Sequence, residues 1–325
     1  MFYIASAEGV FYFLAGSVAS PPQVQPDADT LVFQDGRQYP DGSTFAGTRD
    51  AHLLESSPLH NTGGHIALEA ARTTGADPAA DRGIVVRFDD LDTSTQVGRF
   101  LRKATLTLNY FGSRNDPGGV HKTLAVHRLL QDWGQGAQTG IEGAPAGDGE
   151  ACWDKPFGSS TDDNPPWVGT LAPGMADPSP LDSATLGGAE DFGPVQFDVT
   201  TAVRRQLLGQ VPDLGFVIRE TPGGESTEDG TRQFDSSEAT ILAARPSLTL
   251  TFGPAVPGDF DLDGDVDLDD FGHLQACLSG SVPQTLDSCL NARLNPDEYV
   301  DAADVAIFRG CMSGADIPAD PHCAD

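Results

Sequence analysis

From Asp259 to Asp270 the chain reads Asp-Phe-Asp-Leu-Asp-Gly-Asp-Val-Asp-Leu-Asp-Asp, and few folds can accommodate such a run. Carboxylates packed this densely repel one another, so a compact structure needs a cation among them. The spacing suits one. With Asp259 as position 1, oxygen ligands stand at positions 1, 3, 5, 9 and 12, namely Asp259, Asp261, Asp263, Asp267 and Asp270. Asp265 at position 7 offers its backbone carbonyl, and Gly264 at position 6 permits the sharp turn of a twelve-residue calcium loop. A solvated acidic linker would not need these offsets.

The run is repeated. A shift of 34 residues maps Asp263 onto Asp297, Asp267 onto Asp301, Asp270 onto Asp304, Cys277 onto Cys311, Gly280 onto Gly314 and Cys289 onto Cys323. This is an internal duplication. The second loop spans Arg293 to Asp304, with Asn295, Asp297, Tyr299, Asp301 and Asp304 at ligand positions. Arg293 replaces the acidic first ligand and Glu298 the turn glycine, so calcium is expected to bind more weakly there. One helix should follow each loop, over Phe271 to Leu278 and Val305 to Met312.

Paired loops with one helix apiece resemble a dockerin, the duplicated calcium module of polysaccharide-degrading assemblies. The resemblance covers residues 259 to 325. It implies a protein partner of the cohesin type, but positions 10 and 11 are Leu268-Asp269 and Ala302-Ala303. Cellulosomal dockerins usually carry a hydroxyl-bearing pair there, so a cohesin-like or some other protein remains open as the partner.

Four of the five cysteines fall inside the repeats, as Cys277-Leu-Ser-Gly with Cys289 and Cys311-Met-Ser-Gly with Cys323. The simplest pairing closes Cys277 to Cys289 and Cys311 to Cys323. Small domains often need such staples, and disulfides point to an extracellular or cell-envelope setting. Reduced structural thiols are the alternative; no Cys-x-x-Cys or nearby histidine set favours zinc. Cys152 is left over, without a His-Asp partnership beside it. At the other end, residues 1–20 read as a partial secretory signal: the apolar run Phe11 to Ala19 ends in small residues, although a basic start is missing. No apolar run approaches the length needed to span a bilayer.

Residues 259–325 hold 15 acidic and 2 basic side chains of the chain's 48 and 19, and the excess of acid continues through the first 258 residues. A chain with net charge −29 repels nucleic acids and anionic membranes, which excludes both as partners.

Residues 27–252 are long enough for one large domain, with a linker at 253–258. Runs such as Ile84 to Phe88, Ala104 to Tyr110, Leu124 to Leu129, Gly215 to Arg219 and Ser247 to Phe252 alternate or are β-branched, with Gly and Pro between them. One helix is expected, capped by Asp198, running through Val199, Val203 and Leu207 and stopping at Gly209. Many strands and few helices indicate an all-β fold, a jelly-roll-type β-sandwich, followed by the small α-helical paired-loop domain.

A second resemblance covers roughly residues 28 to 252. Arg82…Val86-Arg87-Phe88-Asp89, His127-Arg128-Leu129-Leu130-Gln131-Asp132-Trp133-Gly134, Cys152-Trp153…Trp167, Phe197-Asp198-Val199-Thr200, Phe234-Asp235-Ser236 and Arg245-Pro246-Ser247 are similar in order and spacing to the DNRLRE family. That family is related to disaggregatase, and relatives are classed as carbohydrate-binding modules for acidic polysaccharides. A Gly/Pro/Asp-rich insertion between Gln131 and Phe192 departs from the pattern. The resemblance implies a polysaccharide ligand, for which Trp133, Trp153 and Trp167 are candidate stacking platforms and Arg87 and Arg219 candidate partners of uronate carboxylates. Packing and ordinary ion pairs are the competing readings of the same residues.

Glu142, Asp148 and Glu150, and the histidines His52, His60 and His65, form no recognisable acid–base or zinc set. Two classes of function stand first: a secreted or cell-surface, non-catalytic polysaccharide-binding protein, and a structural surface protein without a glycan site. A polysaccharide-cleaving enzyme comes third.

Overall fold

The computed structural model describes residues 6–7, 10–11, 30–39, 42–72, 81–93, 99–114, 121–158, 167, 175–187, 191–207, 209–221, 230–254 and 256–324. The candidate secretory segment therefore lies almost wholly outside the described residues. Two short strands, β1 (Ser6–Ala7) and β2 (Val10–Phe11), pair with each other. The body comprises β3 (Thr30–Phe33), β4 (Thr48–Leu54), β5 (His60–Asn61), β6 (Ala67–Ala70), β7 (Arg82–Phe88), β8 (Arg99–Arg114), β9 (Lys122–Arg128), β10 (Ala144–Pro145), β11 (Asp182–Leu186), β12 (Gly193–Asp198), helix α1 (Thr200–Leu207), β13 (Phe216–Glu220), β14 (Thr231–Asp235) and β15 (Ser247–Pro254). Each of the five strand runs expected from sequence falls on one of these strands, with Leu129 one residue past β9 and Gly215 one residue before β13.

The strands form two large antiparallel sheets. One is five-stranded in the order β11-β9-β13-β7-β4; the other follows β3-β15-β8-β14-β6, with β12 also paired to β8. Their inner faces share one core. Ile84, Val86, Leu124, Val126, Phe216 and Ile218 from the first meet Leu106, Leu108, Tyr110, Phe197, Phe234, Leu248 and Leu250 from the second. Helix α1 closes an edge of this core with Val203, and Val199 just before it is buried too. As its sequence suggested, Asp198 accepts the Thr200 amide at 2.9 Å, and Gly209 takes a φ of +68° just past the end.

Strands β4, β7 and β13 of the five-stranded sheet carry buried apolar side chains on both faces. Every residue of β7 is buried, and Val85, Val217, Ala51 and Leu53 point away from the inner core into a second cluster. The described part of the Gly/Pro/Asp-rich insertion supplies the other half of that cluster: Trp133, Ala151, Trp153, Trp167, Met175 and Ala176. A continuous Ile84-Val85-Val86 run, with no polar alternation, is what a doubly covered strand needs. The described part of the insertion is thus a packed cover.

Ionic pairs tie the cover to the sheets. Glu69, fully buried on β6, accepts from Arg82, from Arg114 at 3.1 Å and from Gln233 at 2.8 Å. Arg82 also reaches Glu142 of the insertion at 3.2 Å.

The tail begins within the proposed linker. β15 runs on through Gly253 and Pro254, and Val256 is buried in the tail's own core with Val266, Leu274, Val300 and Phe308. Helices α2 (Leu268–Cys277) and α3 (Ala302–Cys311) each start three residues before the expected position. The cause is a capping box in each repeat, Asp267 with Asp270 and Asp301 with Asp304, which satisfies the first-turn amides. The expected Cys277–Cys289 and Cys311–Cys323 disulfides both form.

Replacing Glu69 with Ala strands the Arg82 guanidinium in the interior, where a broken buried ion pair costs about 3–5 kcal/mol. The Glu69→Ala variant is therefore expected to lose that much stability in urea unfolding followed by tryptophan fluorescence. A loss below 1 kcal/mol would mean that Glu142 alone compensates Arg82.

Candidate functional site

Loop one gathers its carboxylates as the spacing demands. One oxygen each from Asp259, Asp261 and Asp263 lie within 4.8 Å of one another, and the same holds for Asp265, Asp267 and Asp270. Backbone amides hold the loop closed. Asp259 accepts from Asp263 and Gly264 at 3.1 Å each, and Asp270 accepts from Phe260 at 2.6 Å and Asp267 at 3.0 Å. Gly264 has a φ of +96°, in the left-handed region that a side chain would strain.

The electrostatics favour a cation. Burial, then the charges of Asp270 and Asp263, push Asp259 up to about 7; burial with Asp263 and Asp270 raises Asp261 to about 6. Asp265, whose carbonyl stands at position 7, is itself buried, with Oδ2 accepting the Asp316 amide at 2.5 Å. Its Oδ1 is buried without a hydrogen-bond partner. An orphaned carboxylate oxygen, in a loop whose carboxylates are raised by burial and by one another, is what a hard, oxygen-seeking divalent cation would satisfy. The residues present therefore fit calcium.

Loop two repeats the scaffold but not the charge. Asp304, fully buried, accepts from Leu294 at 2.7 Å and Asp301 at 2.8 Å, matching Asp270. Asn295 accepts the Asp297 amide and Asp297 the Tyr299 amide, as Asp261 and Asp263 do one repeat earlier. Arg293, in place of Asp259, turns its guanidinium to the Gln284 carbonyl. Among the described residues, the carboxylate clusters fit for a metal both lie in loop one.

The tryptophan candidates require correction. Trp133, Trp153 and Trp167 are 0 %, 7 % and 3 % exposed, because the outer face of the five-stranded sheet needs their apolar area. The indole N–H groups of Trp133 and Trp167 donate to the carbonyls of Leu214 and Cys152. No sugar ring can stack on them. Arg87 does not present a free cation either: it pairs with Asp89 at 2.6 Å and with Asp132, over the Trp133 ring. Arg87 and Arg219 do not converge, since Val86 pairs Phe216 and Ile84 pairs Ile218, leaving Arg219 toward the other end of β13.

The remaining polar candidates are committed to structure. Glu150 accepts from the Ala137 and Gly147 amides, Glu142 pairs with Arg82, and His60 contacts the Glu142 carbonyl. His52, lowered to about 4 by burial, meets the Ile141 carbonyl through Nε2. Cys152 is a buried free thiol, raised by that burial.

Sequence reasoning missed the outward face of the other sheet. Ser247, Thr107 and Gln196 form one cross-strand row, and Thr249, Thr105 and Asp198 the next, all partly or fully exposed. At its end, where the β14–β8 register slips, stands Phe111, 40 % exposed. The signal was present: Thr105, Thr107, Asn109 and Phe111 share the polar phase of β8. No protein-family model matches the chain, and no curated protein matches it.

An aspartate whose folded-state value is raised binds its proton more tightly folded than unfolded, so stability falls as pH rises through that value. The window runs from 3.8 to about 7 for Asp259 and from 3.8 to about 6 for Asp261. Without metal, the tail is expected to be less protected from amide exchange at pH 7.5 than at pH 5, after correction for the intrinsic rate. Calcium should reverse that order; an unchanged order would argue against a cation in loop one.

Proposed function

We propose that this chain is a secreted or cell-surface, non-catalytic polysaccharide-binding protein, with a jelly-roll-type sandwich of the DNRLRE kind followed by a dockerin-like module that folds around calcium. The module attaches the sandwich to a protein partner, cohesin-like or otherwise. The observation that carries this reading is the loop-one oxygen cluster, set in a hydrogen-bond scaffold that recurs 34 residues later. Two disulfides suit an oxidising exterior. Among the described residues no helix is long and apolar enough to cross a membrane.

In this reading Asp259, Asp261, Asp263, Asp267 and Asp270 hold calcium with the Asp265 carbonyl, and the ion supplies the positive charge that lets them stay close. Loop two offers Asn295, Asp297, Asp301, Asp304 and the Tyr299 carbonyl for a weaker second ion. Glycan recognition falls to the partly exposed outward face of the second sheet. Its hydroxyl and amide rows match the hydrogen-bonding pattern of sugar hydroxyls, and Phe111 offers an apolar ring face. The structural-protein reading is favoured by one fact, the burial of all three tryptophans.

The deciding experiment is binding of the full chain to neutral and acidic polysaccharides, with calcium and with chelator. Saturable binding that Phe111→Ala weakens about tenfold is expected, the loss of one stacked aromatic. A blank panel from folded protein would leave the structural reading.

Asp263→Ala with Asp270→Ala is expected to abolish calcium-dependent protection of residues 259–325 while leaving the melting of the two-sheet body within about 0.5 kcal/mol. Calcium-dependent melting equal to that of the parent would refute the assignment.

A further inference from the structure

The repeated Cys-x-Ser-Gly step at the end of each helix has no part in the ligand sets above. It makes crosswise contacts. After α3, the Ser313 and Gly314 amides donate to the Val266 carbonyl at 3.0 and 3.2 Å, and the Val266 amide donates to Ser313 Oγ at 3.0 Å. After α2, the Ser279 and Gly280 amides donate to the Val300 carbonyl at 2.9 and 3.2 Å, and the Val300 amide donates to Ser279 Oγ at 3.0 Å. Each serine thus grips the loop of the other repeat.

The grip falls on the peptide that matters. Asp265 and Val266 share a trans amide, so the Asp265 carbonyl is directed opposite to the Val266 N–H. Holding that N–H on Ser313 Oγ therefore fixes the carbonyl at loop position 7, the one backbone ligand of a twelve-residue calcium loop. Neighbouring bonds stiffen the same turn: the Ala319 amide to the Gly264 carbonyl at 3.0 Å, and the Asp316 amide to Asp265 Oδ2. The Cys311–Cys323 disulfide closes the segment carrying Ser313, Asp316 and Ala319 back onto α3. Asp316 keeps a φ of +59° within it.

We propose that Ser313 is a positioning residue for calcium in loop one and Ser279 its counterpart for loop two, each acting across the duplication through the amide that follows position 7. The proposal rests on the calcium reading of the loops. It predicts a crossed specificity that general stabilisation would not produce.

The test is amide exchange by mass spectrometry on the full chain, titrated with calcium, following peptides from 259–270 and 293–304 separately. Ser313→Ala is expected to raise the calcium concentration for half-protection of 259–270 about tenfold, within the usual range of coupling between sites, and to leave 293–304 within about threefold. Ser313→Thr, which keeps the hydroxyl, should restore it. Ser279→Ala should loosen 293–304 alone, visible without calcium if loop two takes none. Equal shifts in both loops, or none in either, overturn the proposal. If the parent's 259–270 gains no protection at any calcium concentration, the calcium reading fails instead. The metal-free exchange of the same variants then decides the crossed grip: faster exchange confined to the opposite loop supports it, and unchanged exchange overturns it.

Discussion

A sheet that carries apolar side chains on both faces has to be covered twice, and the architecture of the body follows from that constraint. Ile84 and Val86 point into the space between the sheets, while Val85 points out, and Ile218 and Val217 do the same on β13. The second sheet supplies one cover. The other comes from the insertion, whose three tryptophans give large apolar area from a stretch otherwise rich in Gly, Pro and Asp. At about 25 cal/mol per Å² of apolar surface removed from water, burying aromatic rings of this size is worth several kcal/mol each. That is enough to hold an irregular segment in one conformation. The ionic tie from Arg82 to Glu142 then fixes where the segment lies more than how strongly it is held.

The tail is governed by the opposite kind of constraint. Its core is small, and loop one concentrates charge where burial makes repulsion costly. Two devices offset this without metal. Backbone amides converge on Asp259 and Asp270, so each carboxylate is partly neutralised by dipoles; and each disulfide ties a post-helix segment back to its helix. The residual cost appears in the raised values of Asp259 and Asp261. A divalent cation bound there would remove it, and its binding free energy would then also be folding free energy for this module.

The tail was the more legible part. Ligand spacing, the 34-residue repeat and the cysteine pairing are local patterns, and local patterns survive without knowledge of the fold. Helix starts were missed by three residues because Asp267 and Asp301 were read as ligands and not as caps, and a capping box sets where each helix begins. In the body, strands were legible from β-branched runs, and α1 from Asp198 and Gly209. The roles of the tryptophans were not. Whether an aromatic in a Gly-rich stretch faces water depends on which sheet face the stretch crosses, a long-range fact absent from its neighbours in sequence. Phe111 is the mirror case: an aromatic inside a strand whose phase with Thr105, Thr107 and Asn109 placed it outward.

The two loops separate the carboxylate count that a cation would need from what the fold needs. Loop two has lost its first carboxylate and its turn glycine, yet Asp304, Asp301, Asn295 and Asp297 make the same backbone contacts as their counterparts. The loop shape is therefore set by amide-to-carboxylate bonds and by the serine of the opposite repeat, not by the number of ligands. Arg293 fits this division. It stands where Asp259 would repel its neighbours, and its guanidinium is spent on the Gln284 carbonyl, in the segment closed by Cys277–Cys289. One repeat thus carries at position 1 a side-chain cation bound to the Gln284 carbonyl, while the other leaves an orphaned oxygen and crowded carboxylates that an ion could satisfy.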